Sequence, residues 1–283
     1  MTSVAEKIQR RWLAELNLGF EFDGRRTILS ERKHVGPLVI QKAFYPEGEV
    51  CHVYLIHPPG GIVGGDELHL NVNVSKKAHA LLTTPAATKF YRGNDFQAKQ
   101  IQTINVSAGC KMEWLPQETI FFSGCEANTQ TIVNLEKDAQ FIGWEIICLG
   151  RPASNEIFEQ GYIRQVVEVW RDKMPIVIER SRLEGGDEIL LSAWGMQGFV
   201  VMGTMIVINA DNLVLEAVRE NIEKQNLDGN TIRLSATLIN DVLICRALAN
   251  QAETARESFI DIWKTLRPLV MQRTAVAPRI WYT

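Results

Sequence analysis

From about residue 20 to residue 208, short runs of valine, isoleucine, threonine and aromatic residues are broken by glycine, proline, asparagine or serine at intervals of roughly ten residues. That rhythm predicts many short strands and no helices over this stretch: 27–29, 38–44, 51–56, 68–74, 78–83, 99–106, 111–115, 127–135, 140–149, 162–170 and 176–183. The stretch 68–74 is the plainest, with Leu68, Leu70, Val72 and Val74 on one face and His69, Asn71 and Asn73 on the other. No sequence repeat of roughly 20 to 50 residues marks a regular solenoid, so stacked antiparallel sheets and solenoid-like sheets both fit.

From about Gly198 the pattern changes. Residues 199–208 read as a strand, and Asp211 is placed to cap a helix with Val214, Ala217, Val218 and Ile222 along one side. Asp228, Gly229 and Asn230 make a turn, followed by strands at 232–238 and 242–247. A second helix starts near Ala249, carries Ala252, Ala255, Phe259, Ile262, Trp263 and Leu266 as a stripe, and ends at Pro268. The expected fold is mainly β: a large stacked-sheet, β-helix-like body over 20–208, with an α+β portion carrying two helices over 198–283. No linker rich in Pro, Gly or Ser divides them, so residues 1–283 are expected to form a single composite domain.

Composition adds mainly exclusions. The 283 residues, 46% hydrophobic and 22% charged, suffice for a sizeable core. A net charge of -3 without runs of Lys or Arg gives nucleic acid no footprint. Residues 1–16 read as an amphipathic lead-in without the apolar centre of a secretory signal. The longest apolar run, 199–210, is broken by Gly203 and Thr204 and is shorter than the ~20 residues of a membrane span. Five cysteines, at 51, 110, 125, 148 and 245, contain no C-x-x-C and cannot all pair, which points to reduced thiols and a cytoplasmic protein.

The most unusual string is His-Pro-Pro-Gly-Gly-Ile-Val-Gly-Gly-Asp at 57–66. Pro58 and Pro59 fix φ, while Gly60, Gly61, Gly64 and Gly65 admit positive φ or a close approach, so the segment is a shaped turn between strands. It lacks both phosphate-loop patterns, and a strand follows it where a helix N-terminus would be needed. Asp66 either caps this turn or faces a polar cavity. Glu145, within Phe-Ile-Gly-Trp-Glu-Ile-Ile-Cys-Leu, and Glu179, within Pro-Ile-Val-Ile-Glu-Arg-Ser, sit in apolar company, where a buried charge needs a partner and a solvated face does not. Arg180 and Arg182 project from the opposite face to Glu179 and cannot serve it. Cys51, His52, His57 and His69 lack the spacing of a closed site, so no tight metal site is expected. Ser123-Gly124-Cys125 has no neighbouring histidine to act as base. Trp114, Trp144, Trp170, Trp194 and Trp263 read as core aromatics.

Four further strings follow the glycine turn in order: Thr-Thr-Pro-Ala-Ala-Thr-Lys-Phe-Tyr-Arg at 83–92, Trp-Leu-Pro-Gln-Glu-Thr-Ile-Phe-Phe at 114–122, Leu-Gly-Arg-Pro at 149–152 and Pro-Arg-Ile-Trp at 278–281. The ordered set resembles the UreD family of urease accessory proteins, called UreH in some systems, from His34 to Trp281. The resemblance implies a non-enzymatic maturation factor that assembles with UreF and the GTPase UreG on apo-urease, as a hetero-oligomer dimeric through the UreF complex, and delivers nickel. It also implies a β-rich fold with a helical C-terminal part and an internal water-filled route for the metal.

On that reading Asp66, Glu145 and Glu179, with Thr88 as a polar neighbour, line the conduit. They would make transient, weak contacts to Ni2+, with no tightly bound cofactor. Lys89, Tyr91 and Arg92 either contact a partner or shape a bend. Phe259, Trp263 and Trp281 either pack on the protein's own sheets or present an apolar patch to UreF. Two other classes compete: a β-rich enzyme acting on a small substrate at the Gly60–Asp66 turn, and a nickel-storage protein. The first needs a base and nucleophile in mutual reach, and the second needs clustered His or Cys.

Overall fold

The structure, a computed structural model, describes residues 12–93, 96–227 and 232–282. The turn expected at 228–230 and the lead-in up to residue 11 lie outside them. The end of that lead-in belongs to a strand the sequence pattern did not predict, β1 (Leu13–Phe22).

Two sheets stack face to face. Sheet A holds β1, β2 (Thr27–Val35), β5 (Glu67–Ser75), β8 (Ala98–Val106), β11 (Cys125–Leu135), β13 (Gly161–Arg171) and β14 (Met174–Glu184). Sheet B holds β3 (Val39–Phe44), β4 (Cys51–Ile56), β6 (His79–Thr83), β9 (Lys111–Trp114), β12 (Gln140–Leu149), β15 (Val201–Ile208), β16 (Ile232–Ile239) and β17 (Val242–Ala249). Two strands too short to predict, β7 (Thr88–Phe90) and β10 (Thr119–Phe121), attach through β12.

Between β4 and β13 the chain coils from one sheet to the other, pairing β5, β8, β11 and β13 in parallel in sheet A and β4, β6, β9 and β12 in parallel in sheet B. Antiparallel strands close the ends, with β2 and β14 on sheet A and β3, β15, β17 and β16 on sheet B. Successive coils set Asn73 beside Asn105 and Asn105 beside Asn134, 32 and 29 residues apart, with the Nδ2 of the later residue donating to the Oδ1 of the earlier one at 2.9 Å in each pair. Such a coil repeats only the inward or outward sense of each side chain, so no repeat is visible in the sequence.

One apolar cluster fills the space between the sheets, including Leu16, Phe20, Val72, Ile104 and Val133. A second lies between sheet B and the helices α1 (Asn212–Leu227) and α2 (Ala252–Val270), including Trp144, Met205, Val218, Phe259 and Trp263. Strand β12 serves both: Phe141, Ile147 and Leu149 face sheet A, while Ile142, Trp144, Ile146 and Cys148 face the helices. Asp211 caps α1 as expected, accepting from the Val214 N–H at 3.0 Å. Pro268 does not end α2. It lies in the last turn, which costs one backbone bond, and the helix closes when the Met271 N–H reaches the Arg267 carbonyl at 2.8 Å.

All five thiols are free and buried. Burial pushes Cys51 up to about 11 and Cys125, Cys148 and Cys245 up to about 12. Among the described residues no helix is long and apolar enough to cross a membrane.

Candidate functional site

On the face of β12 that meets sheet A, the pattern Phe141, Gly143, Glu145, Ile147, Leu149 contains one charge. Glu145 is at a core position of the strand. It keeps accessible area because it borders a cavity of about 220 Å³ whose wall includes the exposed Gly60 and Ala86. That cavity reaches from His57, Gly60 and Gly61 of the glycine turn, past Thr88 and Lys89, to Glu145. A smaller space of about 30 Å³ continues to Glu179, Ser181 and Thr204. Trp114, Thr131, Glu145, Ile147 and Gln165 wall both spaces, so Glu145 stands at their junction. Most of the other polar lining is neutral: Gln100, Gln102, Thr129, Thr131 and Gln165, all presented by sheet A.

Gln165 Nε2 donates to Glu145 Oε2 at 2.6 Å, and Thr131 Oγ1 is hydrogen-bonded to Glu145 Oε1. Thr131 Oγ1 also lies 2.8 Å from Gln102 Oε1. One hydroxyl hydrogen cannot serve two acceptors, so either Gln102 turns its NH2 group to Thr131 or the Glu145 carboxyl carries a proton and donates. Burial raises the pKa of Glu145 and the Glu179 charge adds to the rise, against the bonds from Thr131 and Gln165.

Glu179 has the partner that its own strand cannot supply. Arg246 of β17 grips both its oxygens, with Nη1 to Oε2 at 2.9 Å, and also donates to Thr204 Oγ1 at 2.8 Å. Arg180 and Arg182 bind Glu168 and Glu184 instead. Asp66 departs from the expectation that it lines the route: it is not part of the cavity wall. Its carboxylate caps the turn, accepting from the Val63 N–H at 3.1 Å. Burial lowers the pKa of the neighbouring His57, which is a wall residue, while the Asp66 charge opposes that shift.

The turn is braced on β7. Ile62 N–H donates to the Lys89 carbonyl at 2.7 Å, and Tyr91 N–H donates to the Ile62 carbonyl at 2.9 Å. A Cβ on Gly61 would run into the Tyr91 ring, and one on Gly64 into the Phe96 carbonyl. Lys89 faces the cavity, whereas Tyr91 and Arg92 line a surface groove with Phe122 and Glu156. Phe259 and Trp263 are fully buried, so these two pack on the protein's own sheet and are closed to a partner. Trp281 is half-buried beside Trp144 and Trp263, donating to Thr83 Oγ1 at 2.8 Å. Trp194 is 76% exposed, a correction to its reading as a core aromatic.

A buried ionic cluster at the base of α2 gave no signal in the sequence. Glu113 of β9 accepts from His79 Nε2 and Trp263 Nε1, both at 2.7 Å, and from Arg267 Nη2 at 3.0 Å. Arg267 also holds both oxygens of Glu47 at 2.8 Å, and Glu47 lies 2.6 Å from His52 Nε2. Burial alone would raise the Glu113 carboxyl, but the bond from His79 and the Arg267 charge outweigh it and hold it at about 2. Local pattern hid this cluster because Arg267 and Glu113 are 154 residues apart. Among the described residues, no group of three or more His, Cys, Asp or Glu gathers that could hold a metal ion.

A family model described as UreD urease accessory protein matches residues 13–282. The chain is 45% identical over 278 residues to a protein of Dechloromonas aromatica named urease accessory protein UreD, covering 96% of this chain and 95% of that one. Proteins of the same name from Alcanivorax borkumensis and Citrobacter koseri are 41% and 40% identical, over 96% and 100% of this chain and 92% and 96% of theirs.

Proposed function

Because the chain belongs to the UreD family of urease accessory proteins, we propose that it passes nickel to apo-urease within an assembly containing UreF and the GTPase UreG. Its part in urease maturation is that of an accessory protein and not of an enzyme, which removes the reading of a substrate site at the glycine turn. The observation that carries the proposal is Glu145, a carboxyl at a core position where two spaces meet.

A divalent ion in transit must exchange hydration water for contacts weak enough to release it. Scattered amides and hydroxyls with one carboxyl at the narrowing suit transfer, while a closed set of His and Cys suits storage. Thr88 stands near the wide end and Glu179 at the narrow end, where Arg246 moderates its charge. Asp66 contributes by holding the turn. Transfer inside the cytoplasm through a transient assembly belongs to the same reading.

The test is the nickel content of urease co-produced with Glu145→Ala, Glu179→Ala or Thr88→Ala. Loading should fall in the Glu145 variant while the proteins still co-purify. Unaltered loading in all three would overturn the conduit.

A further inference from the structure

Residues 187–198, between β14 and β15, fold into a loop closed on itself. The Gly198 N–H donates to the Leu190 carbonyl at 2.8 Å, and the Met196 N–H to the Ile189 carbonyl at 2.9 Å. Ser192 Oγ donates to the Glu188 carbonyl at 2.8 Å, and the Asp187 carboxylate accepts from the Ile189 N–H at 3.2 Å. Met196 is buried, and Ile189 and Leu190 pack against the cluster between the sheets. The opposite side carries Leu191 and Trp194, 77% and 76% exposed. The loop is therefore a rigid mount that holds two large apolar groups in water.

The loop itself has one sign of charge. Asp187 and Glu188 are exposed on it, and it contains no Lys or Arg. Arg182 is already paired with Glu184 at 3.1 Å. A tryptophan in a fixed pose loses little freedom on burial, and tryptophan is over-represented among residues that dominate binding energy. An isologous contact with a second copy would set acidic collar against acidic collar.

We infer that this loop is a docking knob for a different protein of the urease maturation assembly, one with an apolar socket rimmed by Lys or Arg. The inference rests on the chain's working in an assembly, and it is independent of the cavity.

The experiment co-produces tagged chain with the urease subunits and the other accessory proteins, then measures each component retained on the tag. Trp194→Ala and Glu188→Lys should each cut retention of one and the same component, by roughly tenfold or more for Trp194→Ala. That component should also elute from Glu188→Gln at lower salt than from the unaltered chain, because one charge of the acidic collar is gone. Both single substitutions are at exposed positions, and unchanged thermal unfolding confirms that the variants fold. Wild-type retention of every component in both would overturn the inference, as would Trp194-dependent dimerisation of the chain alone by light scattering. A variant that assembles normally yet leaves urease unloaded bears on the conduit, and one that loses a component bears on the knob.

Discussion

Arg267 reaches two buried carboxylates at once, and its removal strands both. Replacing it with methionine leaves Glu47 and Glu113 without their cation, and the expected loss is about 3–5 kcal/mol in urea unfolding. The same cluster sets an acid response. Glu113 ionises in the unfolded chain near 4.5 and in the folded chain at about 2. Its stabilising contribution is therefore complete above 4.5 and is lost as pH falls towards 2. Burial lowers His79, so below 6.5 the unfolded chain takes up a proton that the folded chain refuses, and stability falls in the same direction. The thermal midpoint should decline from about pH 6.5 downward and more steeply below 4.5, and the steeper limb should be shallower in Glu113→Gln, where Glu47, Asp23 and Glu156 still contribute. A midpoint constant from pH 7 to 4 would contradict this. Glu145 behaves oppositely: an amide in place of a buried carboxyl removes a desolvated charge, so Glu145→Gln should unfold at equal or higher urea than the unaltered chain.

The glycine turn is held by what its glycines touch. Gly61 abuts the Tyr91 ring, which can rotate, whereas Gly64 abuts the Phe96 backbone, which cannot. Alanine should therefore cost more at 64 than at 61, both within roughly 1–3 kcal/mol, and Tyr91→Leu should reduce the cost at 61 alone. The reverse order in denaturant midpoints would count against this bracing. Period and punctuation made such elements legible: 51–56 and 140–149 match β4 and β12 at both ends. They missed β1, whose first residues looked like the tail of a lead-in, and β7 and β10, with 3 residues each. Glu145 stood out because a charge interrupts an apolar run. Its partners did not, because Thr131, Gln165 and Gln102 look like ordinary polar positions until the coil stacks them. The Glu179–Arg246 pair was equally hidden, its members 67 residues apart on different sheets.

At the scale of the molecule, sheet B is common to both apolar clusters, with β12 exposing one face to each. Cutting the chain before Ala252 would uncover Trp144 and remove Arg267 from the buried Glu113. Such a truncation should fail to give a cooperative unfolding transition, measured by calorimetry, and not leave an intact β-rich remainder. The burial of every cysteine has a different outcome. Thiolate is the reactive form, and sulfurs that are both enclosed and reluctant to ionise ignore alkylating reagents and soft cations alike. The native protein should thus stay unlabelled by iodoacetamide at neutral pH while the urea-unfolded chain labels fully, which turns its own sulfurs into a clock for opening events and keeps thiophilic ions from lodging in the scaffold.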